Sequence, residues 1–361
     1  MNRYNRGFSI VEILVAMVIA LLGMIIIFQV FSLSEGIKRT STSGGDAQQN
    51  GLLALFSMER HARMAGFGIN YAPLLGCTVV AYNSGPPARD FTFTLVGVQI
   101  ADGASGAPDG VTFAFGNSDL VLVPAKLTGI SAVASTAFRI DNRYGFRLSD
   151  LAIVAEVGST KNCSLRQITS LPPAADEIDH VTGSYVDVNG ATVSSTFNKG
   201  AGLGIAYNAW DNTAQTGGRL YNVGPSPSVI AYSIANSQLV MQDQINGTSI
   251  SIADGIVQLQ AQFGKDTDGD GNVDLWQATM PATPTTTDWS RVLAIRIAVA
   301  ARSALAERPD RTTGICNTTT VQPTWSGGTL TVSGDPNWMC YRYKVFETTV
   351  PLRNQIWLQP S

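Results

Sequence analysis

The sequence predicts an α+β protein: a long N-terminal helix, membrane-spanning at its start, packed on a large β-rich head. Three observations carry this. From Ile13 to Ser34 the chain has no charged residue, and about 20 predominantly apolar residues suffice to cross a bilayer as helix. Beyond residue 75 the apolar side chains recur at every second position, as one face of a strand requires. Charged residues make up only 14% of the 361 residues, and low charge with many short apolar runs suits a β-rich domain outside the cytoplasm better than a cytosolic helical enzyme.

The first element begins with a short leader, residues 1–7, made basic by Arg3 and Arg6. Gly7 and Phe8 follow, and then the apolar run of residues 8–34 with a single carboxylate near its start, Glu12. A secretory signal has a shorter apolar region and a small-residue cleavage site after it. Here the candidate cleavage point, Gly7-Phe8, precedes the run, so cleavage removes the leader and keeps the helix. A charge inside a membrane helix costs roughly 2.5–3.5 kcal/mol on insertion scales and is usually functional. A plain anchor therefore explains the run but not Glu12.

Residues 35–66 read as an amphipathic continuation of the helix. Leu52, Leu55, Met58, Ala62 and Ala65 recur at three- and four-residue steps, which describes one helical face. Gly44 and Gly45 each cost about 1 kcal/mol relative to Ala, so a bend or frayed turn is expected within Ser41 to Asp46. Gly66, Gly68 and Pro73 end the helix.

Residues 67–361 form the head, with a possible boundary between two subdomains near residue 225. Phe91, Phe93 and Leu95 alternate with threonines, and Val111, Phe113 and Phe115 alternate with Thr112 and Ala114. Leu120 to Val123, Leu151 to Val157 and Leu165 to Ile168 read as further strands, whereas residues 170–218 read mostly as loop. Ser228 to Ile234 and Gln238 to Gln242 form a hairpin around Asn236-Ser237. A second hairpin is expected around Asn246-Gly247, a favoured type I′ pair. Asp254 to Phe263 fits helix or strand; Val292 to Ala301 is a buried strand, and the tail from Tyr341 to Trp357 closes the sheet.

Gly7, Phe8 and Glu12, at fixed offsets before a charge-free run, resemble the class III signal of type IV pilins and type II secretion pseudopilins. The resemblance implies that a prepilin peptidase cuts after Gly7 and methylates Phe8. It implies a helix that sits in the inner membrane before packing into a filament. Glu12 would then pair with the α-amine of a neighbouring subunit's Phe8, a device suited to setting register. Arg63-Met64-Ala65-Gly66, the run Ile256 to Gly264, Trp289-Ser290-Arg291-Val292 with Arg296 to Val299, and Tyr343 to Asn354 are similar to PilW-type minor pilins. That likeness implies a subunit at or near the tip of the type IV pilus that helps to prime assembly, with other minor pilins and the major pilin as partners. Twitching motility and adhesion would depend on it, and it would end on the extracellular surface of a Gram-negative bacterium. A J-type pseudopilin of type II secretion and a tip adhesin acting as a binding module are the alternatives. Gln29 stands where major pilins often carry a helix-breaking proline.

The sharpest chemical motif is Asp266-Thr267-Asp268-Gly269-Asp270-Gly271-Asn272-Val273-Asp274, which matches the start of a calcium loop. Asp266, Asp268, Asp270 and Asp274 would supply carboxylate oxygens and Asn272 its backbone carbonyl, around a structural Ca2+ ion. Gln277 occupies the place of the usual bidentate Glu, which lowers the expected affinity.

Cys77, Cys163, Cys316 and Cys340 form an even set in a chain that leaves the cytoplasm, so disulfides are expected, with three possible pairings. Cys316 and Cys340 flank Gly327-Gly328 and the strand-like Thr329 to Val332, which could fold back as a hairpin; pairing them leaves Cys77 with Cys163. The net charge of −3 suggests no nucleic-acid partner. His61 falls on a polar or packing face of the helix, and His180 beside Asp179 reads as a solvated loop residue. No nucleophile elbow, P-loop or zinc-protease motif is present, so no enzymatic activity is expected. The six tryptophans read as core.

Overall fold

The structure, a computed structural model, describes residues 9–356 apart from 70, 121–122, 174–175, 201, 203 and 311, and within the first helix it leaves undescribed the side chains of 33, 35–37 and 39–41. Helix α1 (Ile10–Met64) runs 55 residues without a break, a rod about 80 Å long at 1.5 Å per residue. It passes through Gln29 and through the expected bend at Gly44-Gly45. Two glycines cost only about 2 kcal/mol together, and the helix is held on both sides of them. Ser43 and Ala47 are buried on the head, and the Leu305 amide donates to Ser43 Oγ at 3.4 Å.

The buried stripe of α1 is Ala47, Gly51, Ala54, Met58, Ala62 and Ala65. These are mostly small residues, which bring the helix axis close to the sheet beneath. A Cβ on Gly51 would overlap the ring of Phe346. Leu52, expected on the packed face, points to solvent, as do Leu53 and Phe56. The close approach demands small side chains, so the larger leucines are turned outward. At the C-terminal end Gly66 adopts a left-handed φ of +80° and Gly68 one of +74°. The Gly66 amide donates to Ala114 O at 2.9 Å, and Asn354 Nδ2 donates to the carbonyls of Met64 (3.2 Å) and Ala65 (3.1 Å) at the helix end.

The head follows in chain order as β1 (Thr78–Asn83), β2 (Arg89–Thr94), β3 (Val98–Ala101), β4 (Gly110–Phe115), β5 (Ala125–Lys126), β6 (Ala137–Arg139) and β7 (Leu151–Val157). Next come β8 (Cys163–Gln167), β9 (Glu177–Asp179), β10 (Ser184–Val186), β11 (Thr192–Ser194), β12 (Gly217–Gly224), β13 (Ser228–Ala235), β14 (Gln238–Asp243) and β15 (Thr248–Asp254). The chain ends with β16 (Ile256–Lys265), β17 (Leu275–Gln277), α2 (Thr286–Ser290), β18 (Val292–Arg302), β19 (Thr324–Trp325), β20 (Gly328–Thr329), β21 (Tyr343–Pro351) and α3 (Arg353–Ile356).

Three larger sheets organise these strands, with orders β2-β1-β8-β7-β12-β5, β15-β14-β13-β4-β3 and β17-β16-β18-β21. The pairings are antiparallel except β1 with β8. Helix α1 lies across β18 and β21 and reaches β15, β16 and β4. The main core draws on α1 and all three sheets, from Ala47 through Val79, Phe113, Tyr232 and Ile297 to Leu352. A second core, with Leu127, Phe138, Ile140, Ile168 and Tyr207, fills the other face of the first sheet. A small third core, Ala298, Ala300, Leu330 and Val332, lies under the chain between Cys316 and Cys340.

Several expectations are sharpened. The segment Asp254 to Phe263 resolves as strand from Ile256 onward, where β16 pairs with β18; Asp254 ends β15 and Gly255 turns between them with φ +71°. Asn236 and Ser237 both take left-handed φ values, +51° and +59°, as a type I′ turn requires. The hairpin at Asn246-Gly247 exists, but its loop spans residues 244–247 and only Gly247 (φ +73°) is left-handed. The reason is local: Asp243 Oδ1 accepts from the amides of Ile245 (2.9 Å) and Asn246 (3.1 Å), which builds a wider turn. Leu120 and Val123 lie outside any strand, and the two residues between them are outside the described residues.

Candidate functional site

Residues Ile10–Ser32 of α1 have a mean hydropathy of 3.0, and none packs against the head. Along this stretch Ile10 to Phe31 present their apolar side chains outward on every side. Such a rod needs either lipid or other helices around it. Glu12 lies in its first turn, where the helix dipole favours a carboxylate. Among the described residues Glu12 has no hydrogen-bonding or charged partner for its side chain. Gly7 and Phe8, the expected cleavage and methylation positions, lie outside the described residues.

The second half of α1 is locked to the head by a polar contact as well as by small residues. His61 is buried, its Nδ1 2.9 Å from the Tyr232 hydroxyl on β13. Arg60 Nη2 lies 3.2 Å from His61 Nε2. A guanidinium only donates, so Nε2 accepts and Nδ1–H donates to the Tyr232 oxygen. Burial, and then the Arg60 charge, lower the His61 pKa to about 4, and burial pushes the Tyr232 phenol up. Both groups are therefore neutral at pH 7. The sequence offered no sign of this pair, because its members stand 171 positions apart.

Two disulfides brace the head. Cys77–Cys163 joins the chain after α1 to β8, and Cys316–Cys340 closes the segment that covers the outer face of the third sheet. His180, expected in solvent, is buried against Phe138 with ring centroids 4.3 Å apart. The strand β9 that precedes it pairs with β6 and carries it inward.

The acidic loop joins β16 to β17. Asp266 is fully buried, with Oδ1 accepting from the Gly269 amide (2.6 Å) and Oδ2 from the Gly271 amide (2.9 Å). Gly269 and Gly271 have φ values of +87° and +86°, which an L side chain rarely adopts. Asp274 Oδ2 accepts from the amide and hydroxyl of Thr267, at 2.8 and 3.0 Å. The loop is tied to the start of β18: Asp266 N donates to Arg291 O (2.9 Å), and Arg291 Nη1 donates to Thr267 O (2.8 Å).

One carboxylate oxygen from each of Asp266, Asp268 and Asp274 lies within 4.8 Å of the others. That is the span of two ligands facing one calcium ion at about 2.4 Å each. Asp270, expected among the ligands, is not in this group of carboxylates, and Asn272 would contribute only its backbone carbonyl. They are exposed and bonded to each other, Asn272 N to Asp270 Oδ1 at 2.7 Å and Asn272 Nδ2 to Asp270 Oδ2 at 2.9 Å. The three convergent hard oxygen donors fit calcium, with water or backbone oxygens left to complete its shell.

An apolar helix standing clear of a strand-rich, disulfide-braced head, with one carboxylate in its first turn, is the arrangement expected of a pilin-type protein. Residues 2–28 match the prokaryotic N-terminal methylation motif. Residues 221–354 match the family described as type IV pilus-assembly protein W. The chain thus carries a prepilin-type N-terminus and a C-terminal region similar to the PilW family, features of a type IV pilus-related pilin. The PilW match runs from β12 through the acidic loop to α3, and so contains the whole third sheet on which α1 rests. No curated protein and no solved structure matches the chain.

Proposed function

We propose that the chain is a minor pilin of the type IV pilus, placed at or near the tip, where it helps to prime assembly. The observation that carries this reading is the exposed apolar rod with Glu12 in its first turn, beside a PilW-type region. A single carboxylate at the end of an apolar helix asks for a buried cation, and the α-amine of a neighbour's methylated Phe8 supplies one. On this reading a prepilin peptidase cuts after Gly7, and the subunit waits in the inner membrane. It then enters the filament beside other minor pilins and the major pilin, with a structural rather than catalytic role. Twitching motility and adhesion follow from the filament.

The test is a deletion complemented with the wild-type chain or with Glu12→Ala, scored by surface pili. Priming predicts few or no pili in the deletion and poor rescue by the variant despite normal processing. Normal pili with lost adhesion would make the subunit a tip adhesin instead. Normal pili with a secretion defect would make it a J-type pseudopilin.

We also propose that Asp266, Asp268 and Asp274 hold a structural calcium ion that ties β16, β17 and β18 together outside the cell. The convergence of their oxygens within 4.8 Å supports this, as does the anchoring of the loop through Arg291. Calorimetry on the purified chain should detect binding at millimolar calcium, and its absence would leave an acidic turn.

A further inference from the structure

A cleft of about 460 Å³ opens at the end of the head from which α1 emerges. Stretches far apart in the chain line it: residues 104–108 between β3 and β4, the turn from β13 to β14, the start of β16, the end of β18 and the loop at 331–335. Its place in the fold follows from β18, which ends at Arg302 opposite Tyr343 of β21. Close by, Leu305 N donates to Ser43 Oγ at 3.4 Å and Lys344 Nζ to Gln48 Oε1 at 3.0 Å, where α1 leaves the head. Gln258 is fully buried, and its Nε2 donates to Gly106 O and to Thr331 O, both at 2.8 Å, so it staples one rim of the cleft to the other. Buried Asp109 accepts from the Gly103 amide at 2.9 Å and the Ala261 amide at 2.8 Å, which pins the first rim to β16. On that rim Ser105 takes a φ of +57°, uncommon for a residue with a side chain; such strain gathers at binding sites. A site whose walls are set in advance costs less to occupy.

The polar side chains in the cleft are of two kinds. Arg302 Nη1 donates to Asp335 Oδ2 at 2.6 Å, and the guanidinium lies over the Tyr341 ring at 4.3 Å. The two side chains are 21% and 33% exposed, so the pair is held in place yet open to a ligand. Its two charges cancel. The hydroxyls of Ser105, Ser237 and Thr331 are the second kind, and among the described residues none of them makes a hydrogen bond within the protein. Ile234 and Val257 add apolar surface. A free ion would meet both charges of the pair and gain little from either. An extended peptide needs open backbone carbonyls and amides, and the rim carbonyls of Gly106 and Thr331 are taken by Gln258. A neutral sugar ring matches the whole lining, because its vicinal hydroxyls donate and accept side by side and its C–H face is apolar. The volume lies within the range of about 300–1,000 Å³ usual for small-ligand sites.

We propose that this cleft binds one neutral pyranose unit of a glycan. One sugar hydroxyl accepts from the Arg302 guanidinium, and its neighbour on the ring donates to the Asp335 carboxylate. Ser105, Ser237 and Thr331 meet the remaining hydroxyls, and the C–H face rests on Ile234 and Val257. The ion pair sets the selectivity, since hydrogen bonds to charged groups are roughly twice as strong as neutral ones. The assignment uses no residue of the exposed apolar rod and does not rest on the filament reading.

The experiment uses the full chain in micelles of a zwitterionic detergent that carries no sugar, with saturation-transfer NMR as the readout. The probes are chitotriose, as in the amino-sugar strands of a cell wall, and lactose, as in the galactosides of surface glycans, with glucuronate as a charged control. The wild-type chain should bind at least one neutral sugar more tightly than glucuronate, and its preference between the two tells the source. Two variants locate the binding. Gly334 lines the cleft, and a Cβ there meets nothing within 4 Å, so Gly334→Trp fills the space without touching the core and should melt with the wild type. Asp335→Asn keeps the shape and removes the charged acceptor. Each should raise Kd about tenfold or more. Saturation of neither neutral sugar, tighter binding of glucuronate, or a Kd unchanged in both variants would overturn the assignment.

Discussion

Replacing Tyr232 by Phe removes one hydroxyl from the seam between α1 and β13. The ring itself should stay in place, since it packs edge-on against Phe113 at 6.1 Å between centroids and tilted against His61 at 5.8 Å. What changes is the 2.9 Å contact to His61 Nδ1. Arg60 already occupies Nε2 as a donor, so the proton stays on Nδ1 and is left buried without an acceptor. A buried polar group in that state costs about 1–3 kcal/mol. For a domain of this size each kcal/mol moves Tm by about 2–4 °C, so the expected fall is roughly 2–12 °C. The assay is thermal denaturation of the full chain in micelles at pH 7, followed by circular dichroism. A second variant, Tyr232→Phe with His61→Leu, removes both polar partners and should recover much of the loss, because an apolar pair leaves nothing unsatisfied. A Tyr232→Phe variant that melts with the wild type, or a double variant no better than the single one, would refute the reasoning and reduce the contact to incidental proximity.

The same histidine predicts an acid limit. Its pKa falls from 6.5 in the unfolded chain to about 4 in the folded one, so below pH 6.5 the unfolded chain binds a proton that the folded head excludes. Stability from this group is intact above about pH 6.5 and declines towards pH 4, by about 3 kcal/mol in all; a His61→Leu variant whose pH profile matches wild type would contradict this. Gly7→Ala should slow removal of the leader, read as the ratio of precursor to mature chain on a gel, with N-terminal sequencing finding methylated Phe8 on the wild type. Calcium at tenfold its Kd should add about 1.4 kcal/mol, seen as a higher Tm in calcium than in chelator, and Asp268→Ala with Asp274→Ala should abolish the difference. Gly51→Leu should loosen α1 from β21, because any side chain there displaces the Phe346 ring, and should expose the helix to limited proteolysis.

Much of this molecule is legible along the chain because the signals are local. An apolar run after Gly7-Phe8 with the single carboxylate Glu12 near its start needs only its own order of residues to be read as a membrane helix that cleavage before it would leave in place. The alternation at Val111, Phe113 and Phe115, the turn at Asn236-Ser237 and the run Val292 to Ala301 likewise depend on neighbours a few positions away. The spacing of aspartates around Gly269 and Gly271 reads as a candidate cation loop for the same reason. Which of these oxygens converge is a matter of the folded loop: Asp266, Asp268 and Asp274 come together, while the Asp270 carboxylate accepts from Asn272 instead.

Tertiary structure adjusted which residues of the predicted α1 face are buried: Met58, Ala62 and Ala65 are, and Leu52 is not. Periodicity picks out a stripe by apolarity and included Leu52, but the sheet below selects by size, and Gly51 and Ala54 take its place because small side chains allow β21 to approach so closely. It also decided the fate of both histidines. His61 finds its acceptor on β13, and His180 is carried into a core by the pairing of β9 with β6, 38 or more positions away in the chain. Nothing near either residue in sequence records these partners. Burial strips water from a polar group and makes a single distant hydrogen bond or charge worth more than any local preference, and such a partner exists only once the chain has folded back upon itself.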